Sequence, residues 1–311
     1  MREKYHLYTV SILLIIFSIL FVNLFFYSFA FDAIVLTLAL FAIVLRREKE
    51  FLKDWTPALA LFYVYELLRS RADELAIYFN RPFLDYQLIN WEYALFNIQG
   101  QIPTVYLQYK YSMPMAEKLI ASNFEYFLFF FYVSFFWFWL VVGFFLWKKS
   151  RSVFRKYIYG LIGFSIFSTL IYFLYPSVPP WYASLDGLLP EVKRTMYSYN
   201  YLSTSGVNLL KTYGGNDFAA FPSHHAAWPF FAWLFLLKYY GRKMIFVGII
   251  PAITIFATWY GAEHYIIDSI AGILLASIVF VMLHVDLNQE ISWEKFFKSK
   301  SLSLKLIRQL F

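Results

Sequence analysis

"FEYFLFFFYVSFFWFWLVVGFFLW", residues 124–147, is an almost wholly apolar run whose one charged side chain is Glu125. A run of this length predicts a membrane-spanning helix, because about 20 apolar residues cross the hydrocarbon core of a bilayer. It is followed directly by the basic stretch "KKSRSVFRK", residues 148–156. The two stretches together indicate a transmembrane helix that ends in a cationic loop.

The composition extends this reading to the whole chain. Of 311 residues, 60% are hydrophobic and only 15% are charged, and the mean hydropathy is +0.55. These values are not those of a soluble domain. The net charge of +7 lies in short loops between apolar runs, which favours an anionic lipid surface over nucleic acid as the partner. The absence of cysteine excludes disulfides and thiolate metal sites.

We therefore predict an all-α, polytopic helical membrane protein with about six to eight transmembrane helices. The predicted spans lie near residues 7–28, 30–45, 54–69, 124–147, 157–175, 222–238, 244–260 and 264–284. Four connections are basic, namely 46–54, 148–156, 238–243 and the tail after 284. The positive-inside rule assigns all four to the cytoplasm.

Three parts of the chain follow from this topology. Residues 1–74 supply N-terminal transmembrane helices, 75–284 form the main membrane domain, and 285–311 form a basic amphipathic tail on the inner leaflet. The two long segments on the other side of the membrane are 70–123, which suits interfacial helices, and 176–221, which has the prolines and glycines of an ordered loop.

Three of the five histidines are predicted to meet outside the cytoplasm. His224 and His225, in "FPSHHAAW", open the span 222–238 at its outer end, and His264, in "GAEHYIIDSIAG", opens the span 264–284 at the same face. This shared membrane face follows from the basic loops alone, because they assign the topology without reference to the histidines. The other two, His6 and His284, fall near cytoplasmic ends of spans, where we assign them no role.

The residues around these histidines indicate phosphate chemistry. His264 and Asp268 are four apart, so on a helix they share a face, and the carboxylate can fix the tautomer of a nucleophilic or basic imidazole. Ser223 can cap the helix that follows, and the first-turn N–H groups of a helix bind anions. The alternatives are a polar helix start at 264–268 and a plain serine cap followed by interfacial histidines.

An alternative interpretation of the three histidines and Asp268 is a zinc site. Adjacent helical residues point about 100° apart, so His224 and His225 are poorly placed to share one ion. The motif HExxH is also absent. We expect neither a metal nor another cofactor.

The pair of motifs "PSHH" and "HYIID" resembles the second and third signatures of the type 2 phosphatidic acid phosphatase superfamily, Pro-Ser-x-His and His-x-x-x-Asp. The flanks "YPSVPPW" (175–181), "TWYGAEHYIIDSIAG" (258–272) and, more weakly, "GQIPTVYLQ" (100–108) are similar to the inositol phosphorylceramide synthase-like branch. The resemblance implies that the domain at 75–284 is a phosphatase-type helical core.

The resemblance also implies roles for individual residues. His264 would be the nucleophile that forms a phosphohistidine, Asp268 its orienting carboxylate, and His225 the general acid and then base. Ser223 would hold phosphoryl oxygens. His224 occupies the variable position of the motif, and we include it among the phosphate-binding candidates without a transferred role.

The sequence departs from the phosphatase members at their cationic residues. Ala257 and Thr258 stand where those members have a Ser-Arg pair. A doubly charged phosphoryl group needs cations. Lys211 and Arg194, both in the loop 176–221, are therefore predicted to bind phosphate, and the alternative is that they are solvated loop charges.

The resulting prediction is a membrane-embedded phosphotransferase that moves a phosphoryl or phospho-polyol group from a lipid donor to an alcohol, with its site on the extracytoplasmic face. The first alternative is a lipid phosphate or polyprenyl diphosphate phosphatase with water as the acceptor. The second is a non-catalytic lipid-binding or transport protein. The sequence leaves the oligomeric state open.

Overall fold

The computed structural model describes residues 31–111, 123–198 and 216–285. The predicted span 7–28, the phosphate-binding candidate Lys211 and residues 286–311 of the predicted tail lie outside these ranges. The all-α prediction is confirmed, since helices are the only regular elements in the described part of the chain.

Twelve α-helices and one 3-10 helix follow one another through the described ranges. They are α1 (Phe31–Val44), α2 (Glu48–Arg69), α3 (Ala72–Tyr78), α4 (Asp85–Phe96), α5 (Pro103–Tyr111), α6 (Asn123–Lys149), α7 (Arg151–Leu174), α8 (Pro180–Leu185), α9 (Thr195–Ser198), α10 (His224–Tyr240), the 3-10 helix Arg242–Gly248, α11 (Ile249–Tyr260) and α12 (Ile266–His284).

Four segments of the described chain are long and apolar enough to cross a membrane. They are Asn123–Lys149, Arg151–Leu174, Arg242–Tyr260 and Ile266–His284, and each matches a predicted span. The protein is therefore a helical membrane protein. α10 falls where a fifth span was predicted, and at 17 residues it is slightly shorter than these four.

Two predicted boundaries differ from the structure. The span expected at 54–69 belongs to a helix that already begins at Glu48, because the charged stretch before Asp54 continues the helix rather than forming a loop. The span expected to begin at His264 begins at Ile266, with Tyr265 as its N-cap residue. His264 therefore lies in a turn and not on the helix.

Helix α10 is the centre of the bundle. It packs against α6, α7, α11 and α12, and its Phe231 and Phe235 are fully buried. Tyr157 of α7 stacks on Phe231 with ring centroids 5.8 Å apart. Lipid tails are as apolar as these side chains, so close packing rather than exclusion from water holds such helices together.

A glycine brings α12 against the start of α10. A Cβ built on Gly272 would lie 2.3 Å from the carbonyl oxygen of Ser223, which no real contact allows. The backbone N–H of Ser223 donates to the carbonyl oxygen of Asp268 over 3.0 Å. The residue before α10 and the first turn of α12 are therefore fixed to each other.

Charged side chains gather at the opposite end of the bundle, which we call the basic end and define by Asp54, Lys148, Lys149, Arg151 and Arg155. Asp54 is buried and accepts hydrogen bonds from Arg151, from Trp147 and from Arg155, whose Nη2 lies 2.8 Å from Oδ1. Lys149 donates to the carbonyl oxygen of Tyr239. Three of the basic connections predicted to share one membrane face thus meet at one end.

Candidate active site

The motif "FPSHH" forms the start of α10 at the other end of the bundle. Ser223 is the N-cap residue, and its Oγ accepts a hydrogen bond from the N–H of Ala226 over 3.3 Å, as its predicted capping role requires. Ser223 is completely buried. His224 and His225 are the first two residues of the helix, so their rings leave the axis in different directions.

His225 points at His264. Its Nδ1 lies 3.0 Å from Nε2 of His264, although the two residues belong to different segments. The other ring nitrogen of His225, Nε2, is buried and contacts no donor or acceptor within the described chain. Tyr132 stacks on the ring of His225 at 5.0 Å, and Phe135 lies at 4.2 Å. The aromatic side chains of α6 thus fix the plane of this imidazole.

His264 is held between His225 and Asp268. Its Nδ1 lies 3.4 Å from Oδ2 of Asp268, and the same oxygen accepts the N–H of Tyr265 over 2.9 Å. Asp268 is completely buried, and its second oxygen has no hydrogen-bond partner among the described residues. The predicted contact forms, but the carboxylate reaches back over the N-terminus of α12 rather than along a shared helical face.

The turn that carries His264 has an unusual backbone. Ala262 has φ of 59°, in the left-handed region that non-glycine residues rarely adopt. Its carbonyl oxygen accepts the N–H of Trp181 over 3.1 Å, and the N–H groups of Glu263 and His264 both bond to the carbonyl oxygen of Thr258. These bonds offset the strain and set the direction of His264.

Side chains in the row Asp268, His264, His225 can move a proton or stabilise a transferred group. A hydrogen bond from Nδ1 of His264 to the carboxylate fixes the tautomer that leaves Nε2 with its lone pair. Nε2 of His264 can then act as a nucleophile, and His225 is within reach of any group bound to it. Such an arrangement can supply a nucleophile, an orienting carboxylate and a general acid.

His224 lies apart from this row. Its Nδ1 bonds to the hydroxyl of Tyr65 over 2.8 Å, and its ring contacts Phe164, Tyr172 and Trp228. Its Nε2 is buried and has no partner within the described ranges. His224 and His225 therefore contact different groups, although they are neighbours in the chain.

No group of three or more metal-binding side chains is placed to hold an ion in the described part of the chain.

Arg194 lies near the row but is paired with acidic groups. Its guanidinium bonds to Glu263 with distances of 2.9 and 3.1 Å, lies 3.8 Å from Asp217, and covers the ring of Trp181 at 4.3 Å. Glu263 immediately precedes His264, so this ion pair forms the side of the site next to His264.

Sequence reasoning missed two residues of α2, one of which contacts His224. Tyr65 gave no signal, because one tyrosine in an aromatic helix has nothing to mark it. Arg69 was not among the predicted site residues; it lies one turn beyond Tyr65 and pairs with Glu66 over 2.9 Å.

A third missed residue is Glu92. It is completely buried, and its carboxylate accepts the N–H groups of Ile266 and Ile267. Burial, together with the charge of Asp268, raises the pKa of Glu92 to about 7 even though the two N–H groups act to lower it. A lone carboxylate within the apolar stretch "LINWEYALF" was the available signal.

Comparison with known proteins identifies the family of this chain. A family model described as the PAP2 superfamily matches residues 113–282, which is more than half of the chain and includes all three residues of the row. The chain belongs to the PAP2 superfamily. The predicted resemblance to the type 2 phosphatidic acid phosphatases is thereby confirmed.

Three curated relatives of this PAP2 superfamily chain are synthases by name. The catalytic subunit of inositol phosphorylceramide synthase from Schizosaccharomyces pombe is 32% identical over 38% of the chain, and inositol phosphorylceramide synthase from Candida albicans is 32% identical over 37%. Phosphoinositol dihydroceramide synthase from Bacteroides thetaiotaomicron is 25% identical over 48%. These matches span 29%, 26% and 52% of the relatives' own lengths. No solved structure matches the chain significantly.

Proposed function

We propose that this protein is a phosphotransferase that moves a phosphoryl or phospho-polyol group from a lipid donor to an alcohol through a phosphohistidine. The observation that carries the proposal is the row formed by Asp268, His264 and His225, with contacts of 3.4 and 3.0 Å. The names of the relatives, all synthases of phosphoinositol-bearing sphingolipids, support transfer to a lipid alcohol rather than to water.

The first half-reaction forms the covalent intermediate. Nε2 of His264 attacks phosphorus, a P–N bond forms, and the P–O bond to the lipid alcohol of the donor breaks. Protonated His225 gives its proton to the departing oxygen, so the alcohol leaves neutral. Asp268 stabilises the positive charge that develops on the imidazole of His264.

The second half-reaction reverses these roles. The acceptor hydroxyl attacks phosphorus, neutral His225 takes its proton, and the P–N bond breaks to restore His264. Every proton and bond is accounted for without a metal or a redox cofactor. The same residue serves as acid and then base because the two steps mirror each other.

The phosphoryl oxygens need donors around them. The N-terminus of α10, which Ser223 caps, offers backbone N–H groups and the positive end of the helix dipole. Arg194 can supply charge after exchanging Glu263 for phosphate, and Arg69 is a second cation, one turn beyond the Tyr65 that contacts His224. His224, whose Nε2 has no partner among the described residues, and Lys211 complete the proposed set.

We also propose that the site faces the extracytoplasmic side. The row lies at the opposite end of the bundle from Asp54, Arg151 and Arg155, and basic loops favour the cytoplasm. A lipid donor and a lipid alcohol would then both enter from the outer leaflet.

The test follows the fate of the phosphorus. Purified protein in detergent receives a labelled phosphoinositol-bearing phospholipid, with and without dihydroceramide, together with His264→Ala and the control His284→Ala, which alters a histidine near the basic end. The expected result is a new phosphodiester that depends on the acceptor and on His264 but not on His284. Turnover in His264→Ala would contradict the mechanism, and acceptor-independent release of free phosphate or inositol phosphate would indicate a hydrolase.

A further inference from the structure

Glu92 occupies a position that the reaction scheme above does not use. It comes from α4, a helix of 12 residues outside the bundle core, yet it is completely buried. Its Oε1 accepts the N–H of Ile266 over 2.9 Å, and its Oε2 accepts the N–H of Ile267 over 3.1 Å. These are the first two residues of α12.

The N-terminus of α12 is thus bound by two carboxylates. The first N–H groups of a helix have no partner within it, and their positive dipole end favours anions. Asp268 accepts the N–H of Tyr265, and Glu92 accepts the next two. One side chain on the helix and one from a distant helix therefore share three consecutive donors.

This division leaves Asp268 able to serve His264. Its Oδ2 binds both the N–H of Tyr265 and Nδ1 of His264, at 2.9 and 3.4 Å. Without Glu92, the N–H groups of Ile266 and Ile267 would lose their acceptor. Asp268 would then be the remaining carboxylate of the pair at this helix end. The carboxylate would be drawn along the helix end, and its contact with His264, already the longest in the row, would weaken.

Apolar contacts keep Glu92 in register. Leu88, one turn before it on α4, is completely buried and packs in one cluster with Ile102, Val105, Ala262 and Tyr265. This cluster includes two residues of the turn that carries His264. α4 is thus docked on the turn and the helix end together, so a displacement of one moves the other.

We propose that Glu92 is a positioning residue of the phosphotransfer site, acting through the N-terminus of α12 on the orientation of Asp268 and His264. This inference rests on the proposed function. It differs from a purely stabilising helix cap in one respect: loss of the Glu92 carboxylate slows the chemical step in protein that is still folded.

Glu92→Gln is the main variant, because it keeps the shape, and its amide oxygen can accept one N–H while its NH2 opposes the other. Asp54→Asn is the matched control, since Asp54 is also a buried carboxylate with several donors but lies at the basic end. Glu92→Asp keeps the charge on a shorter side chain and tests rescue. For each variant, kcat, KM for the donor, the single-turnover rate of labelled phosphoenzyme formation and the unfolding temperature in detergent are measured.

The expected result is a fall in kcat and in phosphoenzyme formation of about 10- to 100-fold in Glu92→Gln, with KM within about threefold, because small misplacements of reacting groups cost about this much. Glu92→Asp should recover part of this loss, and Asp54→Asn should lower the unfolding temperature with kcat within about threefold. If Glu92→Gln does not fold, kcat of Glu92→Asp is compared with kcat of Asp54→Asn. A larger loss in Glu92→Asp supports the inference, and an equal loss contradicts it.

Two results would overturn the inference. One is an unchanged kcat in Glu92→Gln alongside a lower unfolding temperature, which would make Glu92 a cap and nothing more. The other is an equal loss of kcat in Asp54→Asn. Failure of the proposed function is visible separately, as turnover that survives in His264→Ala, and the positioning role falls with it.

Discussion

His225 Nδ1 lies 3.0 Å from His264 Nε2, although 39 positions separate the two residues in the chain. Nδ1 of His264 faces Asp268, so the atom of His264 that can attack phosphorus is the one that His225 covers. In the proposed mechanism, a phosphoryl group bound to this atom would lie next to both rings, with His264 as the nucleophile and His225 as the proton donor.

His225→Ala should abolish most turnover. Removing a general acid and base costs about 10²- to 10⁴-fold in kcat. The loss of kcat should be larger for a donor whose alcohol is a poor leaving group, because the departing oxygen then needs a proton in the transition state. Steady-state rates with a lipid alcohol and with an acidic phenol as leaving groups measure both effects. Equal losses with the two leaving groups would contradict the role of His225 as the acid.

Arg194 and Glu263 should affect donor binding in opposite directions. Glu263 holds the guanidinium at 2.9 Å, and phosphate has to compete with it. Glu263→Gln should therefore lower KM for the donor a few-fold, whereas Arg194→Ala should raise it about 10- to 100-fold, the range for a hydrogen bond to a charged group. KM values from initial rates make this comparison.

The control for this pair is Lys193→Ala, which removes the neighbouring cation while Gln108 continues to bind the Lys193 backbone. A rise in KM as large as that in Arg194→Ala would mean that the loop contributes only diffuse charge. A parallel rise in KM for Glu263→Gln and Arg194→Ala would mean that the ion pair supports the structure of the turn and does not bind phosphate.

Much of the bundle was predictable because its signals are local. Apolar runs long enough to cross a bilayer identify α6, α7 and α12, and the two histidine motifs indicate His225, His264 and Asp268 as candidates whatever the tertiary packing. The basic loops also predicted that the two motifs meet at one end of the bundle, which the contact between His225 and His264 confirms.

The rest of the site depends on contacts between distant segments, for which the sequence has no local pattern. Glu92 is 174 positions from Ile266, and Tyr65 is 159 positions from His224. The helical start at Glu48 was missed because charged residues usually mark a loop, whereas here Asp54 is buried by arginines of the next helix. The position of His264 was misjudged because spacing alone cannot separate a helix from the turn that precedes it.

Gly272→Ala should damage the site although it adds only one methyl group. The new Cβ would lie 2.3 Å from the carbonyl oxygen of Ser223, so α12 has to move away from α10. Overpacking of this kind costs about 1–3 kcal/mol, and the shift separates Ser223 from Asp268. We expect kcat to fall at least about tenfold. Both kcat and unfolding temperature are measured on the purified protein.

Gly163→Ala is the matched control for that substitution. Gly163 is exposed on α7, and a Cβ there meets no atom within 4 Å. This variant should keep wild-type activity and gain slight stability, because alanine favours helix over glycine by about 1 kcal/mol. A similar loss of activity in both variants would show that helix flexibility, and not the approach of Ser223, accounts for the effect.

Glu92 should make the protein less stable as the pH rises. Burial raises the pKa of this carboxyl from 4.5 to about 7 in the folded state. Between these two values the folded state holds a proton that the unfolded state has lost, so the free energy of unfolding decreases as the pH rises through this window, by an amount on the order of 3 kcal/mol. Glu92→Gln removes this dependence, whereas Asp54→Asn retains it.

Unfolding temperatures in detergent at pH 5 and pH 7.5 measure this pH dependence in the wild type and in both variants. Because the other titrating groups are common to wild type and Glu92→Gln, an identical change with pH in those two proteins would contradict the raised pKa of Glu92.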